Sequence, residues 1–171
     1  MSIGYNNFFF YTIKLAPIIL LYVLVFTELE TEFGSYLSYF SFNLQMIVVY
    51  FWVLKKPYIM GNGHIFIAGL VNDVVLGLPL GTTPIVLLIL SLVTSYIRVA
   101  TLRSKIITAW FAFIPAIFLS NLAYILIITN FTEITIPYIK LIQNSFFTFL
   151  FFPIFYQIFN TFLTFTGSHD S

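Results

Sequence analysis

Long apolar runs separated by short polar punctuation dominate the chain, and six can be counted, at about 8–27, 35–54, 64–78, 82–97, 106–129 and 138–165. A helix that crosses a bilayer needs roughly 17–25 residues, so the third and fourth runs are short. Together they cover roughly 34 residues, too many for one crossing. The pattern predicts two tight helices joined at Leu78-Pro79-Leu80-Gly81. Pro79 and Pro84 are expected to interrupt any continuous helix there, because each lacks an amide donor and clashes with the preceding turn.

Composition changes this from a helical protein to a membrane one. Of 171 residues, 60% are hydrophobic and 8% charged, against about 25% charged in a soluble domain. Mean hydropathy is +1.02. The reading is an all-α integral membrane protein, one transmembrane domain over residues 1–171, built as a bundle of six transmembrane helices. If the six runs alternate in direction, Lys14, Lys55, Lys56, Arg98, Arg103 and Lys105 share one side, and only Lys140 falls on the other. Glu28, Glu30, Glu32 and Glu133 lie opposite the basic loops. Positive residues concentrate on the cytoplasmic side, so both termini are expected in the cytoplasm of a multi-pass protein of the bacterial inner (plasma) membrane. The run Leu15 to Thr27 ends in Thr-Glu-Leu-Glu without small residues for signal cleavage, and it is expected to stay as the first span.

Several chemistries are excluded or unsupported. The chain has no cysteine, which removes disulfides, thiolate metal sites and cysteine nucleophiles. A net charge of +1 offers nothing to nucleic acid. His64 and His169 are the two histidines, so no two-histidine zinc motif is expected, a Ser–His–Asp set would have to recruit His64 at a span end, and no phosphate-cradling glycine loop with its lysine exists. The expectation is a non-enzyme without cofactor or metal. The basic groups Lys55, Lys56, Arg98, Arg103 and Lys105 are read as cytoplasmic loops that set topology, with docking of anionic membrane lipid or a cytoplasmic protein as the alternative. Tyr36, Tyr39, Tyr50, Trp52, Tyr58, Tyr96, Trp110 and Tyr138 fall near expected span ends, where amphipathic rings favour the bilayer interface. Gln45, Asn121, Asn144 and Gln157 lie inside spans and are expected to bond between helices, at about 1 kcal/mol each.

One polar residue stands out. Asp73 lies nine residues beyond His64 in an apolar stretch, about 14 Å along a helix and so near the bilayer midplane. An aspartate there costs about 2.5–3.5 kcal/mol. Gly69, Asp73 and Gly77 are four apart and form one helical stripe. Ile65, Leu70, Val71, Val74 and Leu78 are assigned to the other faces. Small residues above and below an acid allow close helix approach. The stripe can be an internal packing seam, a docking seam for a partner's transmembrane helix, or a proton or substrate relay; the residues alone leave all three open.

The stretch Gly69 to Gly81 has the pattern G-L-x-x-D-x-x-x-G-x-P-L-G, and Tyr50-Phe51-Trp52-Val53-Leu54-Lys55-Lys56-Pro57 precedes it. Both resemble the MreD family, the membrane component of the bacterial rod-shape and cell-elongation machinery. Family members commonly have Pro-Asp where Phe42-Asn43 stand here. The resemblance implies a scaffold. It would hold MreC directly and connect through it to MreB, RodA and its penicillin-binding transpeptidase, with Gly69, Asp73, Gly77, Pro79 and Gly81 shaping the bundle or the partner contact. It also implies a fold related to the substrate-binding membrane subunits of energy-coupling-factor transporters, so a small-molecule-binding transporter subunit is the alternative. Against that alternative, the first span shows Ala16 without a repeated small-residue pattern, and few polar groups look set to converge on a pocket.

Overall fold

The computed structural model describes residues 15–25, 42–101, 106–132 and 136–167. These residues form six α-helices and no strand: α1 (Leu15–Val25), α2 (Leu44–Lys55), α3 (Asn62–Leu76), α4 (Thr82–Thr101), α5 (Ile106–Phe131) and α6 (Tyr138–Gly167). Three are long and apolar enough to cross a membrane, over Thr82–Val99, Ile106–Phe131 and Tyr138–Phe165. Of the other three, α2 and α3 fall short of the six-span expectation on length, while the residues on both sides of α1 lie outside the described ones. α2 has 12 residues and α3 has 15, about 18 and 22 Å of helix against a hydrocarbon core of about 30 Å. Lys14, the glutamates at 28, 30, 32 and 133, Tyr36, Tyr39, Arg103, Lys105 and His169 lie outside the described residues.

The short α2 is the centre of the bundle. Gln45 through Leu54 are all buried, and α4 and α6 pack on it. A helix that is apolar all round has no solvent face to offer and is stable only where neighbours surround it. In lipid the hydrophobic effect does not drive that burial, so close packing must hold the helices together. Tyr50 and Trp52, read from sequence as interface anchors, are instead 0% and 2% exposed. The Tyr50 ring lies 4.4 Å from Phe113 and 5.4 Å from Phe152, and its hydroxyl donates to the Ala109 carbonyl at 2.9 Å. A tyrosine takes a core position when its one polar atom finds a partner there. Tyr58, Tyr96 and Tyr138 do lie exposed.

Specific bonds fix the helix directions. The Asn43 amide donates to Thr148 Oγ1 at 2.7 Å, and Trp52 meets Phe162 further along, so α2 and α6 run parallel. Trp110 Nε1 donates to the Phe149 carbonyl at 2.8 Å, while Asn121 Nδ2 donates to Ser145 Oγ at 2.7 Å, so α5 and α6 run antiparallel. The first of these bonds has a cause in the sequence. Pro153 has no N–H, which leaves the carbonyl four residues earlier, that of Phe149, without its helical donor. The Trp110 indole supplies one from the neighbouring helix.

Candidate functional site: a capped hairpin and a polar cavity

The glycine- and proline-marked stretch folds as an α3–α4 hairpin in which each patterned residue has a local task. Gly77 ends α3 in the left-handed conformation, with φ 64°, and its amide bonds back to the Asp73 carbonyl. The Leu78 amide reaches the same carbonyl at 2.9 Å. Gly81, with φ 103°, precedes the first residue of α4. A helix start leaves four amides without helical partners. Here the Gly81 amide donates to Asp73 Oδ2 at 2.7 Å, the Thr82 amide to the Pro79 carbonyl at 3.1 Å, and the Thr83 amide to Asp73 Oδ1 at 2.8 Å. The fourth residue, Pro84, has no amide to satisfy. The helix is interrupted between Leu76 and Thr82, as expected from the prolines, and Pro84 sits in the first turn of α4, where proline is tolerated because its N–H would have no partner.

Asp73 is thus the cap of a helix other than its own. Gly81 stands at the capping position and has no side chain, and the carboxylate of α3 takes over the role that Ser, Thr, Asp or Asn plays there. It is 0% exposed, and both of its oxygens accept hydrogen bonds from the α4 start. This revises the midplane position. α4 has 20 residues, about 30 Å, the thickness of the hydrocarbon core. Set across a bilayer, its first turn lies at a bilayer face, and Asp73 lies there with it.

The stripe is an internal seam, and only in part. A Cβ built on Gly69 would come within 2.6 Å of the Pro84 nitrogen and 2.7 Å of its Cα, so α3 and α4 touch backbone to backbone there. Gly77 has nothing within 4 Å and serves the turn instead of the packing. Ile65 is completely buried with Ala68, Gly69, Asn72 and Asp73, on the face the sequence reading placed opposite, because it lies four residues before Gly69. Val74, 70% exposed, does face away. With α4 seated on it, the Gly69–Asp73 face is not open to a partner's helix.

Next to the hairpin is a cavity of about 280 Å3, set where α2, α4 and α6 all begin. It is more polar than the sequence reading allowed. Asn43, Gln45, Asn72, Thr83, Asn121 and Asn144 line it, with Lys140 among them and no acidic residue among the described residues. Asn43 caps α2, accepting from the Met46 amide at 3.0 Å. Of the four polar residues expected to bond between helices, Asn121 does so, to Ser145. Gln157 faces outward. Gln45, 2% exposed, leaves its Nε2 without a partner, and Asn72, 4% exposed, leaves its Oδ1 without one. The signal available in sequence was that Lys140 is the single base opposite the other six. What hid the cavity is that its members come from five helices.

Away from the cavity, Lys55 and Lys56 end α2, with ammonium groups 5.2 Å from the Tyr156 ring and 5.6 Å from the Tyr58 ring. Arg98, near the end of the parallel α4, is half-buried with its Nε unpartnered. All three are at the opposite end of the helices from the cavity. Compared with protein-family models, curated proteins and solved structures, the chain matches none.

Proposed function

We propose that this protein is a non-enzymatic, MreD-like membrane subunit of a bacterial cell-elongation complex. In this reading six helices cross the inner membrane with both termini in the cytoplasm, and the bundle holds MreC laterally. MreB, RodA and its penicillin-binding transpeptidase join through MreC. The observation that carries the proposal is the α3–α4 hairpin. The patterned residues Gly69, Asp73, Gly77, Pro79 and Gly81 combine into one close-packed hairpin in which the Asp73 carboxyl is satisfied by the Gly81 and Thr83 amides, which suits a scaffold better than a proton relay. MreC would then approach by a face other than the Gly69–Asp73 seam. The test is co-expression with the MreC homologue of the same bacterium and affinity purification in mild detergent. Co-elution in fixed stoichiometry, with rounding of cells depleted of the protein, is expected. Elution alone from cells that keep their shape would sink the proposal.

The polar cavity favours a second reading, a small-molecule-binding membrane subunit of a transporter. Its about 280 Å3 is near the lower end of small-molecule sites, roughly 300–1,000 Å3. In that case the purified protein should retain a solute and should not need MreC for stability.

A further inference from the structure

α3 begins well inside the length of its neighbour. Ser91 Oγ of α4 donates to Oδ1 of Asn62, the first residue of α3, at 3.0 Å. Gly69 meets Pro84 backbone to backbone, so the two helices run antiparallel with Asn62 level with Ser91. α4 continues past that level, and Arg98 lies seven residues further along it, about 10 Å of helix. The start of α3 needs water. The first amides of a helix have no helical partners, and hydrocarbon supplies none. Gly61, at the capping position, has no side chain, and no side chain among the described residues caps this start. Asn62, Gly63 and His64 are all exposed.

α4 changes character at the same level. On the side that meets α3, Pro84 and Leu87 are followed at helical spacing by Ser91, Ser95 and Arg98. Ser95 is exposed. The adjoining side of α4 stays apolar, with Leu92, Tyr96 and Val99 71, 84 and 84% exposed. At the same end α5 exposes Ile107 and Phe111, 58% and 57%. The polar boundary of the bundle therefore lies about 10 Å deeper on the α3 side than on the α4–α5 side. The lengths agree with that step. α4 has an apolar window over Thr82–Val99, about 27 Å, whereas the outward face of α3, from Phe66 to Leu76, covers about 16 Å.

We propose that this protein thins the bilayer on one side of itself. With α4 and α5 across the membrane, lipid headgroups and water descend by about 10 Å into the notch beyond the start of α3 and reach Ser95. On the other side of α4, acyl chains cover Val99, Ile107 and Phe111. A bilayer meets an apolar face shorter than its core by thinning, and the tie between Asn62 and Ser91 holds the short face in register with the long one. The inference rests on α4 and α5 crossing a bilayer and on neither functional reading above.

Spin labels on single cysteines in the naturally cysteine-free chain test it. Ser95 is six residues before the end of α4 and Phe111 five after the start of α5, so the two positions sit at about the same depth. His64→Cys, Ser95→Cys and Phe111→Cys are labelled in the full chain and reconstituted in dioleoylphosphatidylcholine vesicles. Collision with oxygen is compared with collision with a nickel chelate, supplied in solution or on a lipid headgroup. The nickel-to-oxygen ratio should be several-fold higher at positions 64 and 95 than at 111, with either form of nickel. High oxygen access at both 95 and 111 would place the start of α3 in hydrocarbon and overturn the proposal. High nickel access at both would mean that the α4–α5 end projects from a flat membrane, which also overturns it. Shielding of position 95 from both reagents would put protein in the notch, and access for soluble nickel alone would leave it to water without headgroups; either result refutes thinning.

Discussion

The backbone contact at Gly69 supports a demanding experiment. Replacing Gly69 by Ala adds one carbon, normally a mild change in a helix and even favourable by about 1 kcal/mol of propensity. Here that carbon meets the Pro84 nitrogen at 2.6 Å, its Cα at 2.7 Å and its Cδ at 2.9 Å, where ordinary contact begins at 3.4 Å. Two of the three atoms are backbone, in the first turn of α4, and cannot rotate away. The helices have to separate by several tenths of an ångström, and the Asp73 bonds to the Gly81 and Thr83 amides, at 2.7 and 2.8 Å, have to stretch with them. Overpacking costs about 1–3 kcal/mol, and at about 2–4 °C per kcal/mol for a chain of this size the Tm in detergent should fall by several degrees. Gly69→Leu should fall further. Val74→Leu, on the exposed face of the same helix, should lie within about 0.5 kcal/mol of wild type. The decisive variant is the double change Gly69→Ala with Pro84→Ala. Trimming the proline ring removes the 2.9 Å contact and leaves the two shorter ones, so it should not restore stability. Recovery of wild-type Tm by the double variant, or no loss in Gly69→Ala alone, would refute the backbone seam.

At Gly77 the constraint is conformational, so Gly77→Asn should be tolerated far better than Gly77→Ala, which carries about 1–2 kcal/mol for a left-handed residue; equal Tm values would remove the turn argument. Asp73→Asn keeps one acceptor and turns an NH2 toward an amide donor, whereas Asp73→Leu abandons both amides at about 1–3 kcal/mol each; the expected order of stability is Asp, Asn, Leu, checked by chemical or thermal unfolding. Single cysteines in the naturally cysteine-free chain test topology: positions 30 and 133 should react with an impermeant reagent from the periplasm and positions 57 and 103 should not. Labelling at 103 from outside would end the six-crossing arrangement.

The amino-acid sequence alone determined the class of the molecule. A chain with 8% charged residues and apolar runs of membrane length has few ways to satisfy its backbone other than helices, and the runs at 82–97, 106–129 and 138–165 correspond closely to α4, α5 and α6. The hairpin was also legible, since Gly77, Pro79 and Gly81 are local conformational signals that act wherever they occur. What sequence could not decide was which side chains meet. Helical period placed Gly69, Asp73 and Gly77 on one stripe, yet only the docking of α4 showed that the first is a contact, the second a cap for another helix, and the third a turn. Tyr50 and Trp52 carry the composition of interface residues and became core because α4 and α6 enclose α2. The cavity belongs wholly to tertiary structure: Gln45, Asn72 and Lys140 are far apart along the chain, and each is an unremarkable polar residue until five helices bring them around one space. Periodicity is a property of one helix, whereas burial and hydrogen bonding between helices depend on their mutual placement, which a single chain of letters does not contain.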